Sequence, residues 1–189
     1  MVRKKLEKIK VRNATAPGDI PPVIIKEFAQ YLCIPLCDIL NQSIQTGQWP
    51  KLYKTEAITP VPKQYPPINR NLLRPISILF SFDKLMESLI GELIISDMRE
   101  KSDPAQFGNK KKTSINHYLI RLLHRVVTSV DNNSKGDINA VLCCFIDYQA
   151  AFSRMCHTLG KQSFINNGVR PSLIPVLTSY FEDIQMYVR

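Results

Sequence analysis

With 189 residues and 44% hydrophobic content, the chain is long enough to bury a substantial core, and its length fits one domain or two small subdomains. A formal charge of +9 and a pI of about 9.4 favour contact with a polyanion, without saying which. No apolar run approaches the ~20 residues of a membrane span, and no secretory hydrophobic stretch follows the basic N-terminus, so the expectation is an intracellular protein, nuclear or cytoplasmic, with no membrane partner.

The five cysteines form no C-x-x-C pair. Cys33 and Cys37 stand one helical turn apart, Cys143 and Cys144 are adjacent in an apolar run, and Cys156 is alone. They read as reduced, mostly structural thiols. Cys156 beside His157 lacks the second ligand pair that a tetrahedral zinc site needs.

In chain order, residues 1 to 12 alternate basic with apolar side chains, which predicts a basic helix or a flexible arm, bounded here at 1–15. Ala16-Pro17-Gly18-Asp19-Ile20-Pro21-Pro22 is dense in turn and helix-start residues, and Val23 to Ile44 reads as helix, divided at Pro35. Trp49 is the sole tryptophan and reads as a packing anchor. Glu56 to Lys63 and Leu73 to Ser77 predict two strands flanking a proline-rich hairpin loop.

Phe82, Leu85, Met86, Leu89 and Ile90 have the spacing of one buried helix face, in a helix running to Met98. Gln106-Phe107-Gly108-Asn109 and Lys110-Lys111-Lys112-Thr113-Ser114 follow. A second helix comes next, with Ile115, Tyr118, Leu119, Leu122, Val126 and Val130 on its apolar side and Arg121, His124 and Arg125 on its wetter side. After a polar loop, Ala140 to Ile146 is almost wholly apolar, which predicts a buried strand ending at Asp147. A carboxylate so placed is paired, hydrogen-bonded or coordinating a cation, unless the strand end is simply solvated.

The octapeptide Phe145-Ile146-Asp147-Tyr148-Gln149-Ala150-Ala151-Phe152 resembles the first catalytic motif of reverse transcriptases. Other elements follow the order of that family in its non-long-terminal-repeat retrotransposon branch. Pro17-Gly18-Asp19 is similar to its Gly-Pro-Asp-Gly-Ile-Pro turn in rearranged form. Leu40 to Ile44 with Gly47 to Pro50 is similar to a helix end and a Gly-x-x-Pro turn, and Gln106-Phe107-Gly108 to an element preceding a Ser or Thr that opens a helix. Phe164 to Val169 and Leu173 to Tyr180 resemble a later helical Gly-Val-x-Pro segment, ending at an incipient strand from Gln185.

The resemblance implies an α+β, right-hand polymerase architecture, helix-rich with short strands: fingers over 16–139 and part of a palm over 140–189. It implies that Asp147 is catalytic and holds Mg2+. Tyr148, Gln149, Ala150 and Ala151 would lie against a deoxynucleoside triphosphate, and Phe152 would stack under its sugar and obstruct a 2′-hydroxyl. Lys63 would offer the triphosphate a compact charge and Arg74 a forked donor array. Gln106, Phe107, Gly108, Lys110, Lys111 and Lys112 would face an RNA template paired with a DNA primer. Where the family often has a second acid after the aromatic, this sequence has Ser153.

Two-metal nucleotidyl transfer needs more than one carboxylate. The family's Pro-Gln-Gly element and Asp-Asp hairpin are absent from this sequence, and Tyr180-Phe181-Glu182-Asp183 reads as a helix terminus instead. The expectation is therefore an incomplete Mg2+ site, no polymerase activity by the chain alone, and a palm edge covered by a partner or a further C-terminal segment. A non-catalytic nucleic-acid-binding module and an interaction scaffold are the competing readings.

Overall fold

The computed structural model describes residues 1–11, 16–66, 69, 72–131, 140–148, 151 and 154–188. It is α+β, with seven α-helices and one three-stranded sheet among these residues. No helix among them is long and apolar enough to cross a membrane. The chain divides into two compact units, one formed by Met1–Arg99 with Cys156–Arg189 and the other by Glu100–Met155.

The first unit begins with α1 (Val2–Glu7), whose Val2 and Leu6 are buried while its basic residues point outward or along the surface. The turn after it is tied to a distant helix. Gly18 takes φ +78°, and the Asp19 carboxylate accepts hydrogen bonds from the backbone N–H and hydroxyl of Ser81, at 2.9 and 2.7 Å. Ser81 opens α4 (Ser81–Asp97), so Asp19 satisfies one of the donors that a helix start leaves free.

Helices α2 (Pro22–Glu27) and α3 (Ala29–Thr46) meet at Phe28, which ends one and starts the other. Pro35 lies inside α3 and does not divide it. The proline denies the Tyr31 carbonyl its intrahelical donor, but Tyr31 is exposed, and the buried Leu36, Leu40 and Ser43 hold the helix along its other side. Gly47 terminates α3 in the left-handed region at φ +67°, and a Cβ there would stand 2.5 Å from the Pro175 Cβ.

Strands β1 (Thr55–Pro62) and β2 (Leu73–Ile78) pair antiparallel, and β3 (Gln185–Val188) pairs parallel to β1, giving the order β2-β1-β3. The expected hairpin strands and terminal strand are thus present. Helices α6 (His157–Asn166) and α7 (Ile174–Phe181) complete the unit. Gly168 at φ +82° turns the chain after α6, and Arg170 closes on the end of α4. Its Nε and backbone N–H donate to Asp97 Oδ2 at 2.8 and 3.0 Å, and its Nη2 donates to Oδ1 at 2.5 Å. These side-chain and backbone bonds hold the Asp97 carboxyl down to about 2.

The core gathers Leu6, Ile25, Met86, Ile90, Leu173, Val176 and Trp49 in one cluster. Polar groups are bonded into this apolar mass. Trp49 Nε1 donates to Asp83 Oδ1 at 3.0 Å, the Trp49 backbone N–H donates to Ser179 Oγ at 3.0 Å, and the Tyr180 hydroxyl donates to Glu87 Oε1. Tyr180 also meets the Trp49 ring edge-on, with centroids 4.7 Å apart. Asp83 is only 1% exposed. Burial, with Glu87 close by, pushes its carboxyl up to about 7 against the lowering effect of the Trp49 bond. Burial raises Glu87 as well, partly opposed by the Tyr180 bond.

Gly47→Ala is expected to lower unfolding stability by about 1–3 kcal/mol in urea titrations, combining a left-handed backbone with the clash against Pro175. The folded chain holds the Asp83 proton more tightly than the unfolded chain does. That contribution is complete below about pH 4 and is lost as pH rises through about 7. Asp83→Asn keeps an acceptor for Trp49 but cannot ionise. Its stability relative to the native chain should therefore rise by on the order of 3 kcal/mol between about pH 4 and pH 8. A difference that does not vary with pH would contradict this.

Candidate nucleotide and nucleic-acid interface

Two of the expected triphosphate-facing cations come together on the β1–β2 hairpin. Arg74 lies opposite Val61 in the ladder. Lys63 extends the same register, its backbone N–H donating to the Leu72 carbonyl at 2.7 Å. Because alternate residues share a face of the pleat, Val61 and Lys63, and hence Lys63 and Arg74, belong to one side of the hairpin. Both are exposed. The short loop thus brings side chains eleven positions apart in sequence onto one anion-attracting edge.

In the second unit, Gln106-Phe107-Gly108 and the triple lysine form a hydrogen-bonded loop. Gln106 Nε2 donates to the Gly108 carbonyl at 3.0 Å. The Thr113 hydroxyl lies 2.6 Å from the Phe107 carbonyl and 2.7 Å from that of Lys110, fixing both ends of the basic stretch. Asn109 and Lys112 take left-handed φ values of 57° and 64°. Lys110, Lys111 and Lys112 are exposed beside a cavity of about 470 Å³ lined by Gln106, Phe107, Gly108 and Asn109 among others.

Ser114 then leads into α5 (Ile115–Asp131), as the sequence suggests. From α5, Arg121 Nη1 donates to the Pro104 carbonyl at 2.9 Å, and its guanidinium lies 5.8 Å from the centre of the Phe107 ring. Tyr118 meets the same ring edge-on at 6.0 Å. Sequence reading gave no such part to Thr113 or Arg121. The available signal was a threonine directly before a helix start and an arginine two turns into that helix, on the side of Tyr118.

The segment around Asp147 departs from expectation. Residues 140–148 carry no strand, and Leu142, Phe145 and Ile146 are 96%, 80% and 76% exposed. A strand requires a ladder partner, and the described residues of this unit contain none. Asp147 and Tyr148 are accordingly exposed, as is Ala151, while Gln149, Ala150 and Phe152 lie outside the described residues. Cys143, Cys144 and Cys156 are exposed as well, contrary to a structural role; all five thiols are free.

Among the described residues no group of three or more His, Cys, Asp or Glu side chains could hold a metal ion. Asp147 brings a single carboxylate and does not by itself fit a divalent-ion site. Glu182 and Asp183 stand exposed at the end of α7, where the sequence suggests a helix terminus. The buried Asp83 and the half-buried Glu87 were not anticipated as such. Their signal was position: three, four and seven residues separate Asp83 from Met86, Glu87 and Ile90, which puts the acids on the core side of α4.

No protein-family model matches the chain. Curated relatives do. It is 33% identical over 154 residues to the probable RNA-directed DNA polymerase from transposon BS of Drosophila melanogaster, a match covering 80% of this chain and 16% of that protein. It is 28% identical over 188 residues to the probable RNA-directed DNA polymerase from transposon X-element of the same species, covering 96% and 20%. With the RNA-directed DNA polymerase from mobile element jockey of Drosophila funebris it shares 26% identity over 185 residues, covering 96% and 19%. The chain spans a fifth or less of the length of these relatives. Similarity to these polymerases over 79–96% of the chain shows that it belongs to the reverse-transcriptase family of non-long-terminal-repeat retrotransposons.

Proposed function

We propose that the chain is the fingers and first palm segment of a retroelement reverse transcriptase, which binds nucleic acid and nucleotide but does not polymerise alone. The observation that carries this reading is the similarity to RNA-directed DNA polymerases over 96% of the chain. In this assignment residues 1–15 are a basic arm, 16–139 the fingers-like region and 140–189 part of the palm. The whole polymerase copies an RNA template from a DNA primer by two-metal nucleotidyl transfer.

Asp147 would be one ligand of the Mg2+ pair, with its companion carboxylates supplied from outside this segment. Lys63 and Arg74 would meet the triphosphate oxygens, Lys63 as a point charge and Arg74 through paired N–H donors; their common side of the hairpin supports the pairing. Tyr148, Gln149, Ala150 and Ala151 would pass beneath the triphosphate, and Phe152 under the sugar. The loop from Gln106 to Lys112 would contact the template backbone, and its exposed lysines suit phosphate. The apolar 140–146 run would pair and become covered only beside further palm strands, from a continuing segment or a partner.

A second reading, a nucleic-acid-binding module without chemistry, is favoured by the net charge of +9 together with the exposed triple lysine. Purified residues 1–189 are expected to show no Mg2+-dependent primer extension. Robust extension abolished by Asp147→Ala would overturn the claim of inactivity. RNA affinity should fall with salt, and Lys110→Ala/Lys111→Ala/Lys112→Ala should flatten the log–log slope by about 2, at roughly 0.7 per phosphate contact on a single strand. Asp147→Ala should leave that slope unchanged. Binding that is absent even at low salt would leave the scaffold reading in place.

A further inference from the structure

We infer that the cleft between α1 and the start of α4 is a second phosphodiester-binding site, separate in sequence from the Gln106–Lys112 loop, and that it holds single-stranded RNA. The inference rests on the nucleic-acid-binding reading above and adds a place where the strand is held.

The cleft encloses about 410 Å³ and is lined by Lys5, Lys8, Lys10 and Lys84, with Ser81 and Ser88 between them. Burial of Val2 and Leu6 anchors α1, fixing where its basic residues emerge. On α4, Lys84 faces solvent while its neighbour Asp83 turns into the core. Lysines nearly eighty positions apart therefore share one wall-to-wall opening.

The charge in this opening is only partly answered from within the chain. Lys5 pairs with Glu92 at 3.3 Å and donates to the Ser88 hydroxyl. Glu7 faces Arg3, with Nε to Oε1 at 2.8 Å, and so is engaged elsewhere on α1. Among the described residues, no ion pair closes on Lys8, Lys10 or Lys84. Three ammonium groups around one cleft repel each other, and an anion relieves that repulsion. The Ser88 hydroxyl accepts from Lys5 and keeps its own proton for a phosphate or sugar oxygen, whereas the Ser81 hydroxyl is committed to the Asp19 carboxylate.

Ammonium groups spread along the cleft suit the spaced single charges of a phosphate backbone, whose counterions they release on binding. An open cleft admits a strand, which passes through, better than it admits a closed ligand. Lys84 also offsets the buried Asp83 and the half-buried Glu87, so replacing it would disturb the core and confound a binding test.

The test uses the whole chain and a uridine oligoribonucleotide, read in two ways. First, lysine acetylation footprinting by mass spectrometry should show Lys8, Lys10 and Lys84 shielded several-fold when RNA is bound, with no substitution required. Second, Lys8→Gln/Lys10→Gln should weaken binding and flatten the log–log salt slope by about 1.4, two contacts at roughly 0.7 each, with an unchanged circular dichroism spectrum. RNA bound without shielding at these lysines, with only Lys110→Ala/Lys111→Ala/Lys112→Ala altering the slope, would overturn the cleft and leave the broader reading standing. No RNA binding by the native chain would overturn both. Equal shielding by polyglutamate, with equal competition, would replace RNA by an acidic protein segment as the occupant.

Discussion

The first unit depends on placing one carboxylate, Asp83, in its core and a second, Glu87, half-buried beside it. Trp49 and Tyr180 supply the donors that make this tolerable, one to Asp83 and the other to Glu87, and their rings pack edge to face over the same spot. A buried carboxylate without a donor is costly, so each bond constrains where the donor's own segment runs. Residues 49–54, α4 and α7 are consequently held together by polar contacts as well as by apolar burial. Ser179 adds a further tie, accepting from the Trp49 backbone and from Lys54, which also donates to the Glu182 carbonyl.

The sheet is hung from that junction. Strand β1 leaves the Lys51–Lys54 turn just after Trp49, and β3 follows α7 within a few residues, so fixing Trp49 against Tyr180 brings the two strands alongside each other. The hairpin then projects from the far end of β1, carrying Lys63 and Arg74 on one side. A polar junction thus helps to place exposed cations at the far end of the hairpin.

The second unit is built differently. Its described contacts centre on a local loop, fixed by the Thr113 hydroxyl, the Arg121 guanidinium and the Phe107–Tyr118 contact, with partners close in sequence. None of the described residues of α5 is buried, although its apolar and polar residues alternate as an amphipathic helix requires. Residues 140–148 share that condition. Local hydrogen bonds can shape a basic loop without a core, whereas an apolar strand has nothing to gain until a neighbouring strand and a covering layer are present.

The sequence by itself determined the elements whose cause is local: the turn at Gly18, the α4 periodicity, the β1–β2 hairpin, the Ser114 helix start and the motif order that points to reverse transcriptases. The family resemblance singled out Lys63, Arg74 and the triple lysine as anion-facing cations. What only the tertiary structure decided depends on partners distant in sequence. Asp83 is buried because Trp49 reaches it, Pro35 stays within α3 because Leu36 and Leu40 pack, Lys84 joins α1 at one cleft, and Asp147 stands in solvent because its apolar run has no strand to pair with among the described residues. Periodicity reports what a segment can become, but burial and pairing are properties of two segments at once, and a single stretch of sequence holds only one of them.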